Sequence, residues 1–205
     1  MGQPGYVIAV CGTSGAGKST VMECLMAQLG DAIILRMDDY AASNLFPDFA
    51  SWLEEGADPD QFQSPQFSSD LRSLRNGAGI TLPETQEELV PVRFILVEEP
   101  FGRERAQMRD IIDFVAYIDV PPEVALVRQI LRKNNFLPWE QDPEVFIHHL
   151  RDFLSWYIHV GRSAYQAMLP RLLKNSDLVV DGTLPPEKIA EKIYTAVQAR
   201  QPHRS

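Results

Sequence analysis

The sequence has 205 residues, 45% of them hydrophobic and 23% charged, which is ample for the core of one α/β domain. Its formal net charge of −9 repels a phosphate backbone, so nucleic acid is not an expected partner. No run approaches the roughly 18 apolar residues of a membrane span, no basic-then-apolar start suggests a signal peptide, and Cys11 and Cys24 read as reduced core thiols, so the expected location is cytoplasmic with no membrane partner.

In chain order, short apolar strands alternate with amphipathic helices, the pattern of a parallel sheet covered on both faces. Strands are predicted over 6–11, 32–35, 92–97, 114–120 and 177–180, each rich in Val and Ile. The first helix is expected over 18–29, with Val21, Met22, Leu25, Met26 and Leu29 on one stripe and Gly30 as its cap. Further helices are expected over 66–76, from Pro122 to about residue 133, over 143–173 as one helix or two, and from Pro185-Pro186 onward, where Ile189, Ile193 and Val197 recur every four residues. Residues 41–65 and 134–142 fit this alternation badly and read as substrate or lid segments at the mouth of a site. The last five residues look like a frayed tail.

Gly12-Thr13-Ser14-Gly15-Ala16-Gly17-Lys18-Ser19 matches G-x-x-x-x-G-K-[ST] in full. Glycines let the backbone wrap closely enough for its N–H groups to face phosphate oxygens, and the helix that follows offers its positive end to the same anion. Lys18 is placed to reach the β- and γ-phosphates and Ser19 to ligate Mg²⁺, while Thr20 supports the first helical turn. The match lies directly between an apolar strand and an amphipathic helix, which is its confirming context. The expected fold is therefore the α/β P-loop NTPase sandwich, three layers around a parallel sheet of about five strands, with a small lid region. The expected ligands are ATP and Mg²⁺.

The loop does not fix the reaction. No N-K-x-D element suggests a GTPase, and the chain is short for a motor ATPase, whereas a small kinase needs only a lid, a metal carboxylate and a base. Asp38 and Asp39 follow the second strand at the carboxyl edge of the sheet, where a carboxylate can take a hydroxyl proton or hold a metal-bound water. Asp38 is preferred. Glu98 and Glu99 end the third strand at the same edge, with Glu98 preferred near the metal. Arg128 and Arg132 lie four apart on a predicted helix and can clamp a transferring phosphoryl group. Arg103 and Arg105 are candidates for contacting substrate or phosphate.

These elements, in this order, resemble the uridine kinase and phosphoribulokinase-like group of P-loop kinases along nearly the whole chain. Met37-Asp38-Asp39-Tyr40 is similar to that group's Q-D-[SD]-F-[YF], which maps the catalytic base onto Asp38. Asp58-Pro59-Asp60-Gln61-Phe62 resembles H-P-D-A-F, and the run from Asp70 to Gly77, then Ile80 and Pro83, resembles D-L-x-x-L-x-x-G-x-x-I-x-x-P. Phe94-Ile95-Leu96-Val97-Glu98 looks like I-L-V-E-G and maps the metal-associated glutamate onto Glu98. The stretch from Val127 to Arg132 is similar to the R-R-x-x-R-D lid helix, and that from Asn175 to Val180 to the Y-A-D-[VL]-I-[IV] strand. The resemblance implies phosphoryl transfer from ATP·Mg²⁺ to a hydroxyl of a small metabolite.

The chain departs from that group in four places. Glu84-Thr85-Gln86-Glu87-Glu88-Leu89 stands where the group reads a pyrimidine with Tyr and His, and Ala57 stands where it grips the ribose with Asp. Gln129 replaces the second arginine of the lid pair, and Glu99-Pro100 the glycine after the strand glutamate. The phosphate machinery is retained and the nucleoside-reading residues are not. The alternative function is a nucleotide-binding regulatory protein that has lost acceptor phosphorylation. Tyr40, Phe46, Phe49, Trp52, Phe62 and Phe67 either stack on an acceptor or form the core of a lid; Trp139, Trp156 and Tyr157 read as helix packing. The spacing of His148, His149, His159 and His203 suggests no zinc site. Oligomeric state is left open, a homodimer included.

Overall fold

A computed structural model of the chain describes residues 4–136 and 142–200. In chain order its elements are β1 (Tyr6–Cys11), α1 (Lys18–Leu29), β2 (Ala32–Leu35), a 3₁₀ segment (Met37–Ser43), α2 (Phe49–Glu54), α3 (Pro65–Arg75), β3 (Ile80–Thr81), β4 (Glu88–Leu89) and β5 (Phe94–Glu98). There follow α4 (Ala106–Arg109), β6 (Phe114–Asp119), α5 (Pro122–Phe136), α6 (Pro143–Trp156), a π-helical turn (Tyr157–Gly161), α7 (Arg162–Asn175), β7 (Leu178–Asp181) and α8 (Pro186–Arg200). Much of the predicted 134–142 segment, with Trp139, lies outside the described residues, as do His203 and the tail.

Five strands form one parallel sheet in the order β2-β5-β1-β6-β7, and β3 and β4 form a small antiparallel hairpin. This is the P-loop α/β sandwich. Because alternate side chains leave a strand on opposite faces, Val7, Ala9 and Cys11 of β1 face one core with Ile95, Val97, Val115 and Tyr117. Ile8 and Val10 face the other with Leu96, Ala116 and Ile118. The first core is closed by Trp52, Phe67, Leu71, Leu74, Met168 and Leu172, and the second by Val21, Met22, Leu25, Ile189, Ile193 and Val197. Burial on both faces explains why the strands read as continuous apolar runs rather than alternating ones.

The predicted boundaries shift where pairing decides them. The third sheet strand begins at Phe94 rather than 92, since its ladder with β1 opens at Tyr6 and that with β2 at Ala32, both opposite Phe94. The region predicted as one helix or two is α6 and α7 joined through the π-helical turn. Gly161 is the last residue of that turn, and a side chain there would meet the Trp156 indole, 2.6 Å from a built Cβ. The Trp156 ring in turn packs edge-on against Phe49 at 5.9 Å. Among the described residues no helix is long and apolar enough to cross a membrane.

The order β2-β5-β1 places three strand ends side by side. The turn after β2 carries Asp38, β5 ends at Glu98, and β1 runs into the glycine-rich loop.

Candidate active site

The loop between Cys11 and Lys18 takes its shape from positions that other residues tolerate poorly. Gly15 has φ +84°, and a Cβ there would lie 2.3 Å from the Ala125 carbonyl oxygen, so the backbone of α5 sits directly against the loop. Gly17 has φ +91° and caps α1 in the left-handed conformation. The loop is buttressed from α5, where Gln129 Nε2 donates to the Ser14 carbonyl at 2.9 Å, and Tyr165 of α7 lines the cleft beside it. Gln129, which stands in for an arginine of the lid pair, is therefore buried and part of the support of the loop. The unpaired N–H groups at the start of α1, together with this loop, make an anion-binding concavity.

Lys18 lies almost buried inside the curve, its Nζ donating to the carbonyls of Gly12 at 3.1 Å and Thr13 at 3.2 Å. The Glu98 carboxylate spans the next two residues of the motif: Oε1 is 3.2 Å from Lys18 Nζ, and Oε2 accepts from Ser19 Oγ at 3.3 Å. Ser19 and Glu98 thus present hard oxygen donors side by side, the chemistry that suits Mg²⁺. Among the described residues no group of three or more His, Cys, Asp or Glu could hold a metal ion by itself.

Asp38 is exposed and lines the same cleft, on the 3₁₀ segment after β2. Among the described residues no hydrogen bond or ion pair engages its carboxylate, and none joins it to Ser19 or Glu98. Asp39, its neighbour, does not line the cleft; burial pushes its carboxyl up, while Arg36 opposes the shift. Glu99 likewise points away from the metal-associated pair. It is fully buried, and its two oxygens take the Arg105 guanidinium, with Nε at 3.1 Å and Nη2 on the other oxygen. Arg128 and Arg132 line the cleft from α5, and Arg128 Nη1 is anchored on the Gly182 carbonyl at 3.1 Å.

The cleft has a volume of about 660 Å³ and continues from the loop into an aromatic half. Phe46, Phe49, Trp52, Phe62 and Phe101 line it, with ring centroids 4.8 Å apart for Phe62 and Phe101 and 5.2 Å for Trp52 and Phe62. Trp52 and Phe62 are also buried core residues, so the 41–65 segment is scaffold as well as wall. Tyr40 and Phe67 do not line the cleft; they pack edge-on against each other at 5.4 Å in the core. Arg105, wholly buried, lies beneath this half, its Nη1 donating to the Phe62 carbonyl at 2.8 Å and Ser64 Oγ at 2.9 Å.

Two expectations need correction. Arg103 faces structural partners rather than ligand, donating to the Ile112 and Asp113 carbonyls and pairing with Asp177 at 2.8 Å. Arg105 borders the cleft, but its donors are taken by Glu99, Phe62 and Ser64, so it holds a wall in place. Sequence reasoning also missed the opposite wall, made by Ala164, Tyr165, Met168 and Leu172 of α7. Their signal was present in the spacing of four between Ala164, Met168 and Leu172, which puts them on one helical face. Asn44 and Phe101 carried no such signal.

No family model matches the chain. The uridine kinase of Staphylococcus epidermidis is 25% identical over 187 residues, spanning 85% of this chain and 86% of that protein. The uridine kinase of Borrelia duttonii is 22% identical over 185 residues, spanning 85% of each. A solved sugar kinase from Janibacter sp. aligns over 96% of both chains at 20% identity with a TM-score of 0.50, a likeness of fold. The chain is thus similar to uridine kinases in sequence and carries the P-loop fold.

Proposed function

We propose that the protein is a kinase that transfers the γ-phosphoryl group of ATP to a hydroxyl of a small molecule. The observation that carries this reading is the joining, in one cleft of about 660 Å³, of Lys18, the Ser19–Glu98 pair, Asp38 and the α5 arginines with an aromatic half that can take an acceptor. Similarity to proteins named uridine kinase supports it.

The transfer follows from these positions. Asp38 accepts the proton of the acceptor hydroxyl as its oxygen bonds to the γ-phosphorus, and the bond from that phosphorus to the β-bridging oxygen breaks to release ADP. Lys18, Arg128 and Arg132 neutralise charge on the transferring group, and the loop holds the remaining phosphates. Ser19 and Glu98 would hold Mg²⁺, directly or through water, and the ion offsets phosphate charge when bound. Most of the rate enhancement then comes from positioning and electrostatics.

The test is ADP release by the purified protein across a panel of alcohols, with Asp38→Asn as the control. The variant is expected to bind ATP normally and to lose about 10²- to 10⁴-fold in turnover. A variant within a few-fold of wild type would remove Asp38 from the role of base. ATP binding with no acceptor-stimulated turnover anywhere in the panel would favour a regulatory protein instead.

A further inference from the structure

We infer that the acceptor is a neutral alcohol carried on an apolar or aromatic ring with at most one further polar group, a donor directed at Asn44; this rests on the kinase reading above. The far half of the cleft is walled by rings on one side, Phe46, Phe49, Phe62 and Phe101 among them, and by Met168 and Leu172 on the other. Phe46 is 53% exposed, and its centroid lies 5.6 Å from that of Phe62, so an open aromatic face borders the acceptor space. Such a surface favours a ring by stacking and burial.

Charge excludes the main competitors. Among the described residues the one cation bordering this half is Arg105, and Glu99, the Phe62 carbonyl and Ser64 already engage it. The other cations lining the cleft are Lys18 in the loop and Arg128 and Arg132 on α5. An acceptor whose far end bears a carboxylate or phosphate would bury that charge against rings with no free partner. A ring with several polar edge atoms would leave them unpaired as well, at roughly a tenfold loss of affinity for each.

One polar group does await a partner. Asn44 Nδ2 donates to the Met37 carbonyl at 3.2 Å, which fixes the amide, and Oδ1 is buried without a hydrogen bond. Asn44 follows the 3₁₀ segment that carries Asp38 and lines the same cleft, so a hydroxyl or amino group of the acceptor is a partner this oxygen could take.

The experiment measures ADP release with ATP and Mg²⁺ against three sets of alcohols: benzyl alcohol and its hydroxy- and amino-substituted forms, then ribose and uridine, then gluconate and ribulose 5-phosphate. Quenching of tryptophan fluorescence, with Trp52 in the wall, reads binding without turnover. Ring alcohols are expected to give the lowest KM. Phe46→Ala should raise that KM on the order of tenfold more than it lowers kcat. Asn44→Leu should weaken ring alcohols that carry a second hydroxyl or amino group while sparing benzyl alcohol. A preference for uridine, ribose or the anionic set overturns this acceptor class and leaves the kinase reading standing. Quenching by ring alcohols without ADP release keeps the ligand class and ends the kinase reading. Neither quenching nor turnover with ring alcohols overturns the class.

Discussion

At its loop end the cleft is walled by backbone groups and by charges held at strand ends, whereas its far end is walled by rings and aliphatic groups brought from α2, the segments around it and α7. The loop end is built on one local motif, Gly12 to Ser19, joined by Glu98 on β5 beside β1 and backed by α5. The far end joins Phe62 to Arg105 and Phe49 to Trp156, contacts between elements distant along the chain. Local backbone geometry dictates the first, and tertiary packing the second. The loop end can therefore be retained while the far end is rebuilt for another ligand.

The sharpest way to break this division is Lys18→Ala. Turnover should fall on the order of 10³-fold, while quenching by an acceptor in the far half stays within twofold of wild type. A fall in turnover of less than tenfold, read by ADP release, would show that the loop end does not carry the reaction.

Arg105→Met attacks the other end. It leaves Glu99 buried and unpaired, at a cost of about 3–5 kcal/mol in denaturant unfolding. Glu99→Gln added to it should recover much of that loss, since breaking one half of a buried pair is worse than removing both. Stabilisation by added ATP should persist in both variants. If Arg105→Met costs less than about 1 kcal/mol, the ion pair is not what supports the aromatic wall.

Gln129→Ala tests whether α5 supports the loop alone. Losing one hydrogen bond to Ser14 should weaken ATP binding about fivefold, from about 1 kcal/mol, with acceptor KM unmoved. An equal rise in both constants would mean that the two ends are coupled through α5.

The smallest effect lies outside the cleft. Burial pushes the Asp177 carboxyl up, but hydrogen bonds from Arg103, the Val115 N–H and Arg200 outweigh it and hold the group below the ordinary range. A carboxyl lowered by folding contributes stability above its unfolded pKa of about 4 and loses it as pH falls through the lowered value. Asp177→Asn should therefore flatten the decline of Tm on acidification from neutral pH towards about pH 2. Turnover at either end should not change, and an unaltered acid limb would show that these bonds contribute little.

What the sequence determined by itself is whatever depends on residues near one another. Continuous apolar runs placed all five sheet strands to within two residues at either end, because burial on both faces leaves no polar alternation to mislead. The stripe from Val21 to Leu29 placed α1, and the glycine pattern announced the loop because Gly15 and Gly17 need φ above +80°. Asp38 and Glu98 were legible as candidates because parallel strands present their carboxyl ends at one edge. Tertiary structure alone decided between chemically similar neighbours. Glu98 meets Lys18 and Ser19 while Glu99 is buried against Arg105, since successive residues at a strand end point to opposite faces. It alone turned Arg103 towards Asp177, gave Gln129 to Ser14, and set α7 across from α2 to close the far half of the cleft. Apart from Glu99 and Arg105, those pairings join residues more than 70 positions apart, and no local periodicity encodes a contact at that range.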